Sequence, residues 1–557
     1  MKRTFLVAAF WLSWIGAAAA QDIGGDWQGS LKAGPSDLRV RLHVLPRDGG
    51  GWKATFDSVD QGANDIPVSA ITFDPPLIRF SIELIRASYE GRINLEGTAI
   101  DGAWMQGQSF SLTLSRIKAG TNTRSEGVRP KFDPAAIAGR LLRHAPADPQ
   151  ASERIARLRE EMAAGNSDSA SRFWEEMRAS GSPLIEPVPG ESHYSFVTFL
   201  WRGTSDTRNV AIVGGVAGAD PMKNQMIHIE ASDVWYKTYK IGNDSRFTYA
   251  LSPNDSGESL DRLDPNDLVA MLKRMSTFQR DPLNPNQVFG AMPSFVELAE
   301  APPQPWIVPS ANAPKGTLRQ EPLASTILKN QRNVWVYTPP GFRVDGPRYP
   351  LLIAFDGAAY TSNAGVPVPV ILDNLIAGGK TPPMVAIVLD NPTAVSRNTE
   401  LACSPDFTDF LAEEVVPWMR QRFHATTDAA ETVVAGSSLG GLAAICAGLQ
   451  KNLVFGNVLS QSGAVWWVPG NPDAEPGWLM RKIAEEPTRN LRVFLEVGLM
   501  EADAVLGQSM LSSNRHLRDV LMARSYPLSY REFLGGHEPA NWRGGFAEGL
   551  MFLIGEK

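Results

Sequence analysis

Residues 22–116 read as an all-β unit, and apolar and polar positions alternate with a period of two in its clearest run. Leu38, Val40, Leu42 and Val44 interleave with Arg39, Arg41 and His43, the pattern of a half-buried strand. Further strands are predicted near Trp52–Phe56, Ile78–Ile85, Glu90–Leu95 and Phe110–Leu114, with Asp/Gly turns such as Asp48-Gly49-Gly50-Gly51 and Asp101-Gly102 between them. Short strands at this spacing predict a small closed or folded-over barrel over residues 21–116. The pattern then changes. Residues 117–170 read as a linker of small and polar residues followed by helical spacing over Ala135–His144 and Ala151–Ala164.

Strand patterning returns over residues 171–315. Phe196–Trp201, Asn209–Val213 and Phe247–Leu251 are its clearest runs, and a β-sandwich is expected. The aromatic cluster Trp235-Tyr236-Lys237-Thr238-Tyr239 reads as core and cross-strand pairing. The Pro-rich stretch Ala301–Pro305 marks a boundary. Over residues 316–557 apolar runs of strand length alternate with helical patterns such as Phe407–Gln421. The strand-length runs are Val334–Tyr337, Leu351–Phe355, Met384–Leu389, Thr432–Ala435, Val458–Ser460 and Val493–Val497. That alternation predicts βαβ units and a mostly parallel sheet.

Length and composition bound what these units do. A chain of 557 residues exceeds one core, and 43% apolar with 20% charged residues is ordinary globular composition. Lys and Arg number 53 against 60 Asp and Glu, so no basic surplus points to nucleic acid. Two cysteines, Cys403 and Cys446, exclude a disulfide scaffold and a Cys-built zinc site. Cys446 sits in an apolar run and reads as core; whether it pairs with Cys403 stays open. Lys2 and Arg3 precede an apolar run, Phe5–Ile15, and a small-residue ending, Gly16–Ala20. That order predicts a secretory signal peptide over residues 1–20 and a periplasmic or secreted protein, with no later membrane span.

The candidate chemistry lies in the last unit. Gly436-Ser437-Ser438-Leu439-Gly440 is a G-x-S-x-G motif between a strand ending at Ala435 and a predicted helix over Gly441–Leu449. A sharp strand-to-helix turn there lifts the Ser438 hydroxyl out of the sheet as a nucleophile, and the Leu439 amide supplies half of an oxyanion hole. A serine nucleophile needs a base later in the chain. Of seven histidines only His516 and His537 follow Ser438. His516 lies in a helical pattern, whereas His537 sits in Gly535-Gly536-His537-Glu538 after a strand, as a base-delivering loop requires. The orienting carboxylate is expected after the strand Leu491–Val497, where Glu501 and Asp503 both qualify. The second oxyanion amide is expected after Phe355, at Gly357 or Ala358.

Motifs beyond the triad carry a resemblance. They include Gly181–Glu186, Phe199-Leu200-Trp201-Arg202, Asp281–Pro285, Phe355-Asp356-Gly357, Arg397 with Glu400–Cys403, Leu459–Gly463, Trp466-Trp467, and Gly535-Gly536-His537 with Trp542-Arg543. With them, residues of roughly 171–557 resemble the enterochelin (enterobactin) esterase family of esterase D-like α/β-hydrolases. The resemblance implies an Ig-like β-sandwich ahead of an α/β-hydrolase domain. It also implies a serine esterase without a cofactor or bound metal, acting on a catecholate siderophore that brings its own iron. Carried over, Ser438, His537 and Glu501 form the triad, and Arg397, Trp466 and Trp467 face the substrate. Gly25–Gly29, Asp57–Gly62 and Gly102–Gly107 make the first unit resemble the lipocalin-like module found ahead of some secreted serine hydrolases. The chain departs from the family in its leader, in this extra module, and in Ser437 and Leu439, where the family often has Gln and Phe. A feruloyl or acetyl esterase of the same fold, and an inert ligand-binding protein, are the rival expectations.

Overall fold

The computed structural model describes residues 22–555 apart from 33–36, 48–49, 59–62, 84–86, 107, 118–151, 218–220, 259–267, 287, 289–292, 468–476, 503 and 506–507. The expected leader, most of the linker, the expected helix Ala135–His144 and Asp503 therefore lie outside the described residues. The chain divides into two bodies, Met1–Ser125 and Glu126–Lys557.

The first body is a 9-stranded antiparallel sheet. Its strands are Gly25–Lys32, Asp37–Pro46, Trp52–Ser58, Ala63–Pro67, Ala70–Asp74, Leu77–Ile82, Ala87–Ile93, Ala99–Gln106 and Gln108–Arg116. Most strands pair with their sequence neighbours, and the first also pairs with the last, so the ladder turns back on itself. Among the described residues only Ala63–Pro67 and Ala70–Asp74 adjoin in sequence without a shared ladder. The period-two positions Val40, Leu42 and Val44 are buried, as expected. Phe56 stacks on Trp104 and Phe80 on Tyr89 inside. Gly25–Lys32, Ala63–Pro67, Ala70–Asp74 and Ala99–Gln106 were not legible as strands, because Gly, Asp and Pro interrupt the alternation that marks one. On the strand Asp37–Pro46, His43 bonds Asp26 through Nδ1 (2.7 Å) and Asp57 through Nε2 (2.8 Å). Carboxylates on both ring nitrogens favour the form in which both carry hydrogen, the imidazolium. The Asp57 bond is the main cause that raises its pKa; burial opposes it and Asp26 adds.

In the second body, two sheets share one core. Leu184–Val188, Glu191–Arg202, Ile227–His228 and Val234–Gly242 form one sheet; Val210–Val213, Arg246–Pro253 and Ser294–Glu297 form the other. Val197, Phe199, Ile212, Trp235, Phe247 and Tyr249 fill the space between them. Alternate residues of the first sheet, Leu200, Val234 and Tyr236, face the opposite way onto two helices, Glu153–Ala163 and Ser169–Ser180. Burial on both faces explains why these strands read as nearly continuous apolar runs. The helix Ser169–Ser180 corrects the expected boundary at 171: Phe173, Trp174 and Met177 form its buried stripe, and strands begin only at Leu184.

The last domain is an 8-stranded sheet in the order Thr317–Ser325, Asn330–Thr338, Val385–Leu389, Leu351–Phe355, Thr432–Ser437, Asn457–Gln461, Arg492–Gly498, Leu528–Phe533. The first two strands form an antiparallel hairpin that pairs antiparallel with Val385–Leu389; every later pair is parallel. Ile353 and Phe355 face one layer of helices, which includes Leu439–Gln450; Leu352 and Ala354 face the other, which includes Pro539–Ile554. The expected helix Phe407–Gln421 is three segments, Pro405–Asp409, a π-helical Phe410–Val415 and Val416–Phe423. Pro417 has no N–H for the Glu413 carbonyl, which accounts for the wider turns before it. Cys403 and Cys446 form a disulfide with Cα atoms 5.4 Å apart, tying the loop at 403 to the helix Leu439–Gln450.

Two outcomes follow. The bridge closes a loop over a sequence separation of 43, for which chain entropy gives about 4 kcal/mol. Cys446→Ala, or reduction of the wild type, lowers the denaturant stability of the second body by about 2–4 kcal/mol; unchanged midpoints would show that no bridge forms. His43 has a folded pKa raised above its unfolded value of about 6.5. Its stabilisation is therefore complete below that value and is lost as pH rises through the folded pKa. Melting of the first body declines across that window, and His43→Gln removes the decline; an equal slope in the variant would exclude His43 as its source.

Candidate active site

The strand Thr432–Ser437 ends in a turn whose tip is Ser438, with φ 58° and ψ −125°, and the helix Leu439–Gln450 starts at the next residue. A side-chain-bearing residue at that φ is strained. The turn is held by the Ser438 N–H donating to Gln461 O (3.0 Å) and by Ala464 N–H donating to Ser438 O (2.9 Å). A Cβ on Gly436 would lie 2.6 Å from the carbonyl carbon of Gly440, whereas a Cβ on Gly440 would meet nothing closer than 3.5 Å. The close approach that the motif requires is therefore enforced at Gly436. The Leu439 amide is the first of the helix, without an intrahelical acceptor.

Glu501 lies just beyond the strand Arg492–Gly498 and is 8% exposed. Its Oε1 accepts from Gly498 N–H (2.8 Å) and Ser462 Oγ–H (2.6 Å), and its Oε2 contacts His537 Nδ1 at 2.6 Å. A carboxylate only accepts, so His537 carries hydrogen on Nδ1 and presents the lone pair of Nε2 elsewhere. The imidazole meets Trp542 edge-on with centroids 4.9 Å apart, and Trp542 Nε1–H donates to Ser462 Oγ (3.0 Å). His537 and Ser438 both line a cavity of about 390 Å³, with Asp356, Tyr360, Arg397 and Trp542 among its other walls. Hydroxyl, imidazole and buried carboxylate thus stand in the order and surroundings that acyl transfer uses. His516 is exposed on the helix Met510–Ala523, as its pattern predicted.

The other expected site residues fare differently. Arg397 lines the cavity, but its Nε and Nη2 are committed to Asp356, at 2.6 and 2.8 Å. Burial pulls the guanidinium pKa down, and Asp356 more than offsets this, leaving it raised. Asp356 itself sits at φ 58° just ahead of Gly357. Gly357 and Ala358 depart from expectation: the Asp390 carboxylate accepts from both amides, at 3.2 Å for Ala358. Those amides are engaged by a carboxylate rather than open to an oxyanion. Burial raises the Asp390 pKa, the two amides oppose it, and the charge of Asp356 adds. Trp466 and Trp467 are not among the cavity walls; Trp467 packs against the main core of the domain.

Sequence reasoning did not assign roles to Asp390, Tyr360, Ser462 or Glu538. Asp390 was detectable in principle, as the residue just past a predicted parallel strand, where such sheets place ligand-facing groups. Ser462 and Glu538 acquire their roles only through partners far away in sequence.

The family described as putative esterase matches residues 325–553, and the family described as enterochelin esterase, N-terminal, matches residues 196–307. An iron(III) enterobactin esterase of Dickeya dadantii is 29% identical over 415 residues, covering 69% of this chain and 92% of that relative. One from Escherichia coli O6:H1 is 30% identical over 377 residues, covering 64% of this chain and 90% of the relative. The crystal structure of the enterobactin esterase from Shigella flexneri, in the presence of enterobactin, superposes with TM-score 0.55 at 29% identity over 67% of this chain and 96% of that one. Matched in its sandwich and its hydrolase regions alike, and along nine-tenths of a relative 30% identical to it, the chain belongs to the enterochelin (enterobactin) esterase family and is a carboxylic ester hydrolase.

Proposed function

We propose that this enzyme hydrolyses the ester bonds of an enterobactin-like catecholate siderophore, with Ser438 as nucleophile, His537 as base and Glu501 as the orienting acid. The observation that carries the triad is the 2.6 Å contact between Glu501 Oε2 and His537 Nδ1 beside a serine held in a strained turn. His537 Nε2 takes the Ser438 proton as Oγ attacks the ester carbonyl, and the charge that develops on the carbonyl oxygen meets the Leu439 amide at a helix N-terminus. The imidazolium, stabilised by Glu501, then protonates the departing alkoxide. Water repeats the sequence on the acyl-enzyme with His537 again as base and releases the acid. Any iron arrives as part of the substrate. The substrate class is supported by the relatives, which are named for enterobactin, and by a cavity of about 390 Å³ with aromatic Tyr360 and Trp542 in its walls.

The place of action that we propose is the periplasm or the exterior of the cell. A basic start, an apolar run and an Ala-rich ending support it, as does the Cys403–Cys446 bridge, because reducing compartments keep such thiols apart. The finer architecture that we infer is a lipocalin-like module followed by an Ig-like sandwich and an α/β-hydrolase domain.

Two experiments test this reading. Purified enzyme cleaves iron-free or ferric enterobactin with kcat/KM about 10²-fold above a feruloyl ester. In the same assay Ser438→Ala and Glu501→Gln lose about 10⁴-fold in kcat. Preference for the feruloyl ester would remove the siderophore assignment, and turnover by Ser438→Ala would remove the triad. Protein recovered from the source cell envelope has Gln21 at its N-terminus by mass spectrometry; an intact Met1 would place it elsewhere.

A further inference from the structure

We propose that Thr248 and Glu538 are a positioning pair through which the β-sandwich domain sets the place of His537. The inference rests on the reading of His537 as the base. In the strand Arg246–Pro253, residues 250–253 pair with Val210–Val213, and this ladder stops short of the strand's first residues. Their backbone edge is taken up instead by the His537 loop. Thr248 donates to Glu538 Oε2 from both its N–H (2.8 Å) and its Oγ–H (2.6 Å). Glu538 Oε1 accepts from Gly536 N–H at 2.9 Å. Arg246 N–H donates to Leu534 O (3.2 Å), and Arg246 O accepts from Asn541 Nδ2 (2.6 Å). One strand of the sandwich thus anchors residues 534, 538 and 541, and one carboxylate fixes the residues on both sides of His537.

The contact is close and dry. Glu538 is 3% exposed. Burial pushes its carboxyl up to about 7; the donors on Thr248 and Gly536 oppose this, and the charge of Glu501 adds to it. A Cβ on Gly535 would fall 2.6 Å from Arg246 O and 2.0 Å from Asn541 Nδ2, so the loop lies pressed against the strand. The acid loop is tied to the same place: Met500, next to Glu501, packs on the sandwich core and its N–H donates to Gly535 O (3.0 Å). Acid and base are therefore registered to each other across a surface that the sandwich provides. A base held slightly out of line loses rate without losing substrate affinity, because alignment matters only as the proton moves.

The test uses the full chain and p-nitrophenyl acetate, a substrate too small to reach the rest of the cavity. Thr248→Val keeps shape but removes one donor, and it lowers kcat about 10-fold with KM within about twofold. Thr248→Ser, which keeps the hydroxyl, restores kcat to within about twofold of wild type. Glu538→Gln lowers kcat by about 10–100-fold. Near-UV circular dichroism reports folding, and if Glu538→Gln does not fold, the Thr248 variants decide. A folded Thr248→Val with wild-type kcat, or a loss that Thr248→Ser shares in full, would overturn the proposal. Ser438→Ala in the same assay separates the two levels. An inactive Ser438→Ala beside an active Thr248→Val rejects the positioning pair alone, and an active Ser438→Ala rejects the catalytic reading with it.

Discussion

Glu501 is a carboxylate with 8% exposure, and the site is organised by how that charge is satisfied. A buried carboxylate without donors is costly, and each missing hydrogen bond to it costs more than a neutral one would. Three donors meet it here, from Gly498, Ser462 and His537. They come from the end of one strand, the turn after a second, and the loop after a third. Satisfying the one charge therefore brings three loop ends together, and the imidazole among them acquires a defined tautomer.

The parallel sheet makes that convergence possible. Thr432–Ser437, Asn457–Gln461, Arg492–Gly498 and Leu528–Phe533 are consecutive parallel neighbours, so their C-terminal ends emerge side by side. Ser438, Ser462, Glu501 and His537 are each within a few residues of such an end. The C-terminal ends of the sheet bring Glu501 and His537 near each other, and the sandwich strand Arg246–Pro253 meets the His537 loop through Thr248 and Arg246. Matches to the chain in both regions, 196–307 and 325–553, fit a design in which the two domains are used together. In the cavity wall Asp356 neutralises Arg397, and Asp390 is held by backbone amides in a partly desolvated place that raises its pKa.

How far the site was legible depended on whether a residue's role is local. Ser438 announces itself because a nucleophile turn needs a small residue, here Gly436, two positions before the tip. Elimination among seven histidines leaves His516 and His537, and the Gly535-Gly536 loop singles out His537. Glu501 and Asp503 could not be told apart in sequence, since both follow the same strand. Spatial partners distinguish Glu501, whereas Asp503 lies outside the described residues. The resemblance puts Trp466 and Trp467 toward substrate, yet an aromatic pair carries no sign of which side of a loop becomes core, and Trp467 packs against the core. The Gly357 and Ala358 amides depend on Asp390, 32 positions from Ala358, and no local pattern reports that bond.

The succession of units, the parallel sheet, the strained turn at Ser438 and the candidacy of His537 were legible along the chain, because periodicity, turn chemistry and chain order are properties of neighbouring residues. Folding alone brought Glu501 to His537, closed the Cys403–Cys446 bridge, bonded Arg397 to Asp356, and set Thr248 on Glu538 across a separation of 290 residues. Those are pairings between polar or sulfur groups far apart in the chain, with Glu501, Glu538, Thr248 and both cysteines buried. Such pairs are settled by which surfaces meet on folding rather than by the residues beside them in the chain.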